Sequence, residues 1–390
     1  MLAWFKRFSF EWTQKRAFQS YQSVNQEIIF YSESYNYWSH FEQIIRCLWE
    51  DHGQRIIYLT SEQTDPVFIK PPEGVTSFCI GKGSVRTSVF VELEGPLVIM
   101  TMPDLGVYYI KRSERVKHYA YIFHSINSCH MVYRPRAFDF YDSIFCAGPH
   151  QVREIQSLEK LNNLKPKKII RQGYPRLEAI ANDLDRHPSK SNNNSGPNSA
   201  IKVLIAPSWG KNALLERHGG NFIEPLLKAG FDVILRPHPE THKHSQHILK
   251  GIHARCHKYK NYTLETEVAS TASLIEADIM ISDYSGAAIE FAFSTQKPVL
   301  FVDVPKKINN ANYTDHNIDP LEVFIRSEIG EVIPENMLYR MDHYITEAIR
   351  KRGTYTDKIL QIRKEYIYNF GQSSRIAANE LMNILANSTI

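Results

Sequence analysis

Short apolar runs recur along this chain, each closed by small, polar or proline-containing residues and followed by a stretch with apolar positions three and four apart. In the first half this pattern predicts strands over 26–32, 54–60, 77–80, 96–102, 119–124, 143–147 and 168–172. Helices are expected over 38–51, 84–92 and 150–161. The second half predicts strands over 201–206, 232–235, 254–257, 279–282 and 299–303, with helices over 221–229, 266–277 and after residue 283. Two more amphipathic helices are expected over 335–351 and 358–385, the last able to cross back over the first half. Strands alternating with helices mark parallel α/β domains. The expected fold class is therefore α/β, two Rossmann-like domains facing across a cleft, with ligand groups at the carboxyl ends of the strands.

At 390 residues the chain suits two domains rather than one. Residues 186–200, which include Ser-Asn-Asn-Asn-Ser-Gly-Pro-Asn-Ser, read as a linker. The predicted division is 1–20 as an amphipathic arm, 21–185 as the acceptor domain, 186–200 as linker, 201–370 as the nucleotide-donor domain and 371–390 as a C-terminal helix. The 46 basic and 42 acidic residues leave a net charge of only +4, so nucleic acid is not an expected partner. Five scattered cysteines, Cys47, Cys79, Cys129, Cys146 and Cys256, form no Cys-x-x-Cys pair and read as reduced thiols of a cytoplasmic protein. No apolar run reaches the roughly 20 residues that span a bilayer, and no secretory leader is expected. In the arm, Leu2, Trp4, Phe5, Phe8 and Trp12 recur near helical spacing beside Lys6, Arg7, Lys15 and Arg16. Two readings fit: a helix lying in the membrane interface, or an arm packed on the protein's own surface.

The chemistry concentrates at strand ends. The run from Ile279 to Ile281 breaks into Ser282-Asp283-Tyr284-Ser285-Gly286 before the next helix, which carries Glu290. Unpaired N–H groups of a first helical turn, with the positive end of its dipole, suit a phosphate. Arg236-Pro237-His238-Pro239 follows the strand at 232–235, offering a guanidinium and an imidazole to phosphate oxygens or a leaving group. Pro207-Ser208-Trp209-Gly210 ends the strand at 201–206, and His124 ends the one at 119–124. His124 is placed to take a proton from an acceptor hydroxyl, the alternative being a strand-terminal histidine satisfied by backbone. The histidine-rich stretch from His238 to His257 matches no standard zinc spacing, and neither a metal nor another cofactor is expected. Gly-x-Ser-x-Gly and Walker-type loops are absent, which disfavours hydrolase and kinase readings.

Taken together, Ile205-Ala206-Pro207-Ser208-Trp209, Arg236-Pro237-His238-Pro239, and Ser282-Asp283-Tyr284-Ser285-Gly286 with Glu290 and Lys297-Pro298-Val299 resemble the CDP-glycerol glycerophosphotransferase family of teichoic-acid-type enzymes. The likeness runs well over 202–303 and weakly over the first half, where the family's usual Trp-His-Gly reads Phe123-His124-Ser125. The resemblance implies a glycosyltransferase-B-like fold with the nucleotide held by the second domain. It implies catalytic roles for His124, Arg236 and His238, and donor contacts from Pro207, Ser208, Ser282, Asp283, Ser285, Gly286 and Glu290. The expected reaction moves glycerol phosphate, or another polyol phosphate, from a CDP-activated donor to a polymer or lipid-linked acceptor hydroxyl in teichoic-acid-like or capsule synthesis, releasing CMP. The expected place is the cytoplasm, with the inner face of the cell membrane as a peripheral site. Two other readings are a nucleotide-sugar-dependent glycosyltransferase of the same fold and a nucleotide-binding protein without catalysis.

Overall fold

The computed structural model describes residues 2–108, 110–187, 200–267 and 270–388, with side chains from residue 7 to 387. Most of the expected linker therefore lies outside the described residues. The chain forms two compact units, one of Met1–His124, Tyr133–Pro175 and Ile367–Ile390, the other of Ser125–Val132 and Arg176–Tyr366.

The first unit is built on a seven-stranded sheet: β1 (Ile28–Ser32), β2 (Ile56–Thr60), β3 (Val75–Cys79), β4 (Val98–Met100), β5 (Tyr119–Ile122), β6 (Ser143–Cys146) and β7 (Lys168–Arg171). Its order is β3-β2-β1-β4-β5-β6-β7, with every pair parallel. β1 and β2 are buried at every position, which explains their unbroken apolar composition: both faces are covered by helices. The helix Ser373–Ser388 does return to this unit. Its Ala377, Ala378, Leu381 and Ile384 pack in one core with Ile44, Ile45 and Leu48 of the helix Glu42–His52.

The second sheet comprises β8 (Lys202–Ile205), β9 (Asp232–Leu235), β10 (Tyr262–Leu264), β11 (Ile279–Ser282), β12 (Val299–Asp303) and β13 (Gly330–Pro334). It too is wholly parallel, in the order β10-β9-β8-β11-β12-β13. The direction of winding reverses between β8 and β11, so the loops after these two strands diverge and leave a crevice between them.

Several expectations need correction. The strand expected at 254–257 lies in and just after the helix Gln246–Cys256, where Leu249, Ile252 and Cys256 bury one face at helical spacing; the strand is β10 instead. The helix expected over 266–277 is confined, among the described residues, to Ala272–Glu276. β13 carried too weak an alternation to be read, and its place is set by pairing with β12.

The compact units also divide elsewhere than at the polar segment. The helix Pro175–Arg186 joins the second unit from Arg176 onward. Arg176 Nε donates to Glu290 at 2.9 Å, Leu177 carbonyl accepts from Ser294 Oγ at 3.2 Å, and Asp183 accepts from Thr271 Oγ1 at 2.9 Å.

The expected N-terminal arm is the helix Leu2–Gln22, and its far end is seated on the first unit. Phe18 is buried against Phe78, while Lys15 donates to Ser88 Oγ at 2.6 Å and to Glu92 at 2.8 Å. Arg7 pairs with Glu11 at 2.7 Å, so two of the four cations counted for a membrane surface have partners within the protein. Among the described residues no helix is long and apolar enough to cross a membrane.

If the C-terminal helix is part of the first core, Leu381→Ala removes a fully buried side chain and should cost about 2–4 kcal/mol in denaturant titration. A loss below about 1 kcal/mol would mean the helix contributes little to that core.

Candidate active site at the switch point of the second sheet

One carboxylate joins the loops at the switch point between β8 and β11. Asp283, fully buried, accepts from Ser208 N at 2.7 Å and from Leu214 N at 2.9 Å, tying the loop after β8 to the turn after β11. Burial pushes its carboxyl up from the usual range, and the two N–H groups and the Lys307 ammonium oppose that shift. Ser282 Oγ makes a second tie, donating to Ala206 carbonyl at 2.8 Å. Pro207 and Ser208 are thus fixed in place as buried loop residues.

Ser285 caps the helix Gly286–Thr295, its Oγ accepting from Ala287 N at 3.3 Å. At Gly286 a Cβ would stand 2.8 Å from Ser125 Oγ and 3.0 Å from Asn127 Oδ1, so the absent side chain lets the 125–132 segment pack against this turn. That segment is strongly held. Asn127 Nδ2 donates to Tyr284 carbonyl at 3.4 Å, and the buried Glu322 accepts from Ser128 N at 2.8 Å and Ser128 Oγ at 2.7 Å. His130, fully buried, lies 3.1 Å through Nε2 from Ile318 carbonyl.

Beyond β9 the two expected charge carriers have different surroundings. Arg236 is 5% exposed and its Nη1 donates to Ser273 Oγ at 2.8 Å and to Glu265 at 3.3 Å. Burial lowers its pKa and the Glu265 carboxylate opposes the shift. His238 caps the helix Pro239–His244, with Nδ1 accepting from Glu240 N at 3.1 Å. A neutral His238 therefore carries its proton on Nε2, where it can donate. Glu290 is buried in its pair with Arg176, and Lys297 points inward, donating to the carbonyls of Ile275 at 3.0 Å and Ala277 at 2.5 Å.

In the first unit, His124 lies just past β5 with its Nδ1 2.8 Å from Thr101 carbonyl. A carbonyl only accepts, so Nδ1 holds the proton and the lone pair of a neutral ring is on Nε2, the arrangement a general base needs. The rings of Tyr37, Tyr133 and His40 surround it at centroid distances of 5.3, 6.1 and 6.4 Å.

The pattern along the chain missed Glu322, Asn127 and Lys307. Lys307 follows β12 by a few residues, and its position past a strand's carboxyl end was the available signal. Among the described residues no group of three or more His, Cys, Asp or Glu side chains is placed to hold a metal ion.

An α/β protein of the two-Rossmann class is what this architecture defines. Residues 134–312 match the CDP-glycerol:poly(glycerophosphate) glycerophosphotransferase family. The fold is similar to that of the wall teichoic acid polymerase TagF, with a TM-score of 0.61, 14% identity, and coverage of 100% of this chain and 99% of that one. A TagF variant soaked with CDPG aligns with a TM-score of 0.64 at 16% identity, over 94% of this chain and 90% of the other. The UDP-GlcNAc 2-epimerase of Neisseria meningitidis, bound to UDP-GlcNAc, is less similar: TM-score 0.55, 12% identity, 93% and 100% coverage. No curated protein matches the chain in sequence. The glycosyltransferase-B-like fold and the family resemblance read from the motifs are both borne out.

Asp283→Asn should leave one of the two loop N–H groups facing an amide NH2. The expected cost is about 1–3 kcal/mol of stability, read by denaturant titration, together with weaker nucleotide binding. Unchanged values of both would show that the carboxylate does not hold the crevice together.

Proposed function

We propose that this protein transfers glycerol phosphate from CDP-glycerol to an acceptor hydroxyl of a teichoic-acid-type polymer and releases CMP. The observation that carries the reading is the Asp283-pinned crevice between β8 and β11, which lies inside the family-matched stretch and has the capped turn at Ser285 and Gly286 on its rim. In the reaction the acceptor oxygen attacks the phosphorus that bears glycerol, the bond to the bridging diphosphate oxygen breaks, and CMP leaves with that electron pair. His124 is the proposed base, receiving the hydroxyl proton on Nε2; the support is its tautomer, fixed by Thr101 carbonyl. His238 is proposed to donate from Nε2 to the diphosphate, and Ser282, Ser285 and Gly286 to shape the donor pocket. For Arg236, Glu290 and Asp283 we propose roles in holding that pocket, since each is buried with protein partners.

Product analysis tests the reading directly. Incubation with CDP-glycerol and a glycerol-phosphate acceptor should release CMP and lengthen the acceptor by one glycerol phosphate unit per CMP. Release of UDP from UDP-GlcNAc with sugar transfer would instead establish the glycosyltransferase alternative. In the first case, His124→Gln should lower turnover by at least about a hundredfold. The wild-type chemical step should rise with pH as the imidazole gives up its proton, and the variant's should stay flat. Retention of full activity would remove His124 from the reaction.

We further propose that the N-terminal helix touches the inner membrane surface, where a lipid-linked acceptor would be found. The support is the mixture of aromatic and basic residues at its start. Deleting residues 2–7 spares the seated Lys15 and Phe18, and should reduce binding to anionic vesicles while leaving activity on a soluble acceptor unchanged. Equal vesicle binding would sink the membrane assignment.

A further inference from the structure

The switch-point crevice holds a cation that the reading above has not used. Lys307 lies beyond the carboxyl end of β12, and its Nζ sits 4.1 Å from the centroid of the Trp209 ring. Trp209 is itself fixed: it follows Ser208, whose N–H is bound to Asp283, and its ring lies 5.9 Å from that of His238 and 6.1 Å from that of His244. Three carboxylates face the ammonium, those of Asp283, Glu240 and Glu216, and each has other partners. Asp283 accepts from two backbone N–H groups, Glu240 is paired with Lys243 and with His244 at 3.3 Å, and Glu216 accepts from Thr241 Oγ1 at 3.1 Å. Lys307 makes no hydrogen bond or ion pair with any described residue.

A half-buried ammonium resting on an indole face, with no direct counter-ion, has lost hydration without gaining a full partner. An anion brought into the crevice would supply one. Arg236, the residue whose sequence position suggested phosphate binding, already has its guanidinium on Glu265 and Ser273. We propose that Lys307, carried on the Trp209 ring, is the cation that binds the donor's diphosphate. The inference rests on the nucleotide-donor reading of this crevice and adds the residue that recognises the phosphates. The electrostatics agree: burial holds the free ammonium down to about 8, against the pull of Asp283, Glu240 and Glu216, and a bound diphosphate would favour the charged form.

Calorimetric titration of the full chain with CDP-glycerol and with cytidine tests this. Lys307→Met should weaken CDP-glycerol by at least about thirtyfold and leave cytidine and the melting temperature unchanged. Lys307→Arg, which keeps the charge, should recover most of the loss. A doubly esterified diphosphate does not titrate above neutrality, so wild-type affinity should fall as pH rises from about 7 to about 9.5 while that of the Arg variant stays level. The proposal is overturned if Lys307→Met binds CDP-glycerol as tightly as wild type, or if it weakens cytidine to the same degree. Failure of the donor reading looks different: wild type would then ignore CDP-glycerol and bind UDP-GlcNAc. In that event the same variants titrated with UDP-GlcNAc decide whether Lys307 reads a diphosphate.

Discussion

A buried carboxylate that accepts two backbone N–H groups is the constraint on which the candidate site depends. Asp283 stands where the second sheet reverses its winding, and strands there give the loops no ladder partner to follow. An ionised carboxylate in that position would be very costly alone; two charge-assisted hydrogen bonds of about 1.5–3 kcal/mol each offset the cost. The consequence is geometric. Residues on both sides of the crevice, Ser208 and Trp209 on one and Tyr284 to Gly286 on the other, take positions that neither loop could hold by itself.

The charged residues of the motifs divide into two groups by burial. Arg236, Arg176, Glu290 and Lys297 are all buried and are used within the protein, on Ser273 and Glu265, on each other, and on the end of the helix Ala272–Glu276. Breaking such a buried pair by removing one partner leaves an uncompensated charge, a loss of about 3–5 kcal/mol, so these positions are intolerant of change on structural grounds alone. Lys307 is half-buried, and its ammonium rests on the Trp209 ring without an ion pair to any described residue.

The 125–132 segment adds a second constraint on the same turn. Its packing needs Gly286 to lack a side chain, and its course is fixed by Glu322, Asn310 and the carbonyl of Ile318. His124 immediately precedes this segment in the chain, and its ring is oriented by Thr101 in the first unit. One backbone carbonyl is enough to fix the tautomer of that ring.

The sequence by itself determined the local elements and the chemistry they carry. β1, β2, β11 and β12 were legible because a parallel strand covered on both faces reads as an unbroken apolar run. The turn at 282–286 was legible because polar small residues after such a run mark a helix start. Only the tertiary structure decided what depends on distant partners: that β13 is a strand, that Leu249, Ile252 and Cys256 bury one face of a helix, and that the helix beginning at Pro175 joins the second unit. The same holds for the inward commitment of Arg236 and Glu290 and for the unpaired ammonium of Lys307. Period and propensity are properties of neighbours in sequence, whereas burial and charge pairing are set by residues tens or hundreds of positions away, which no local pattern encodes.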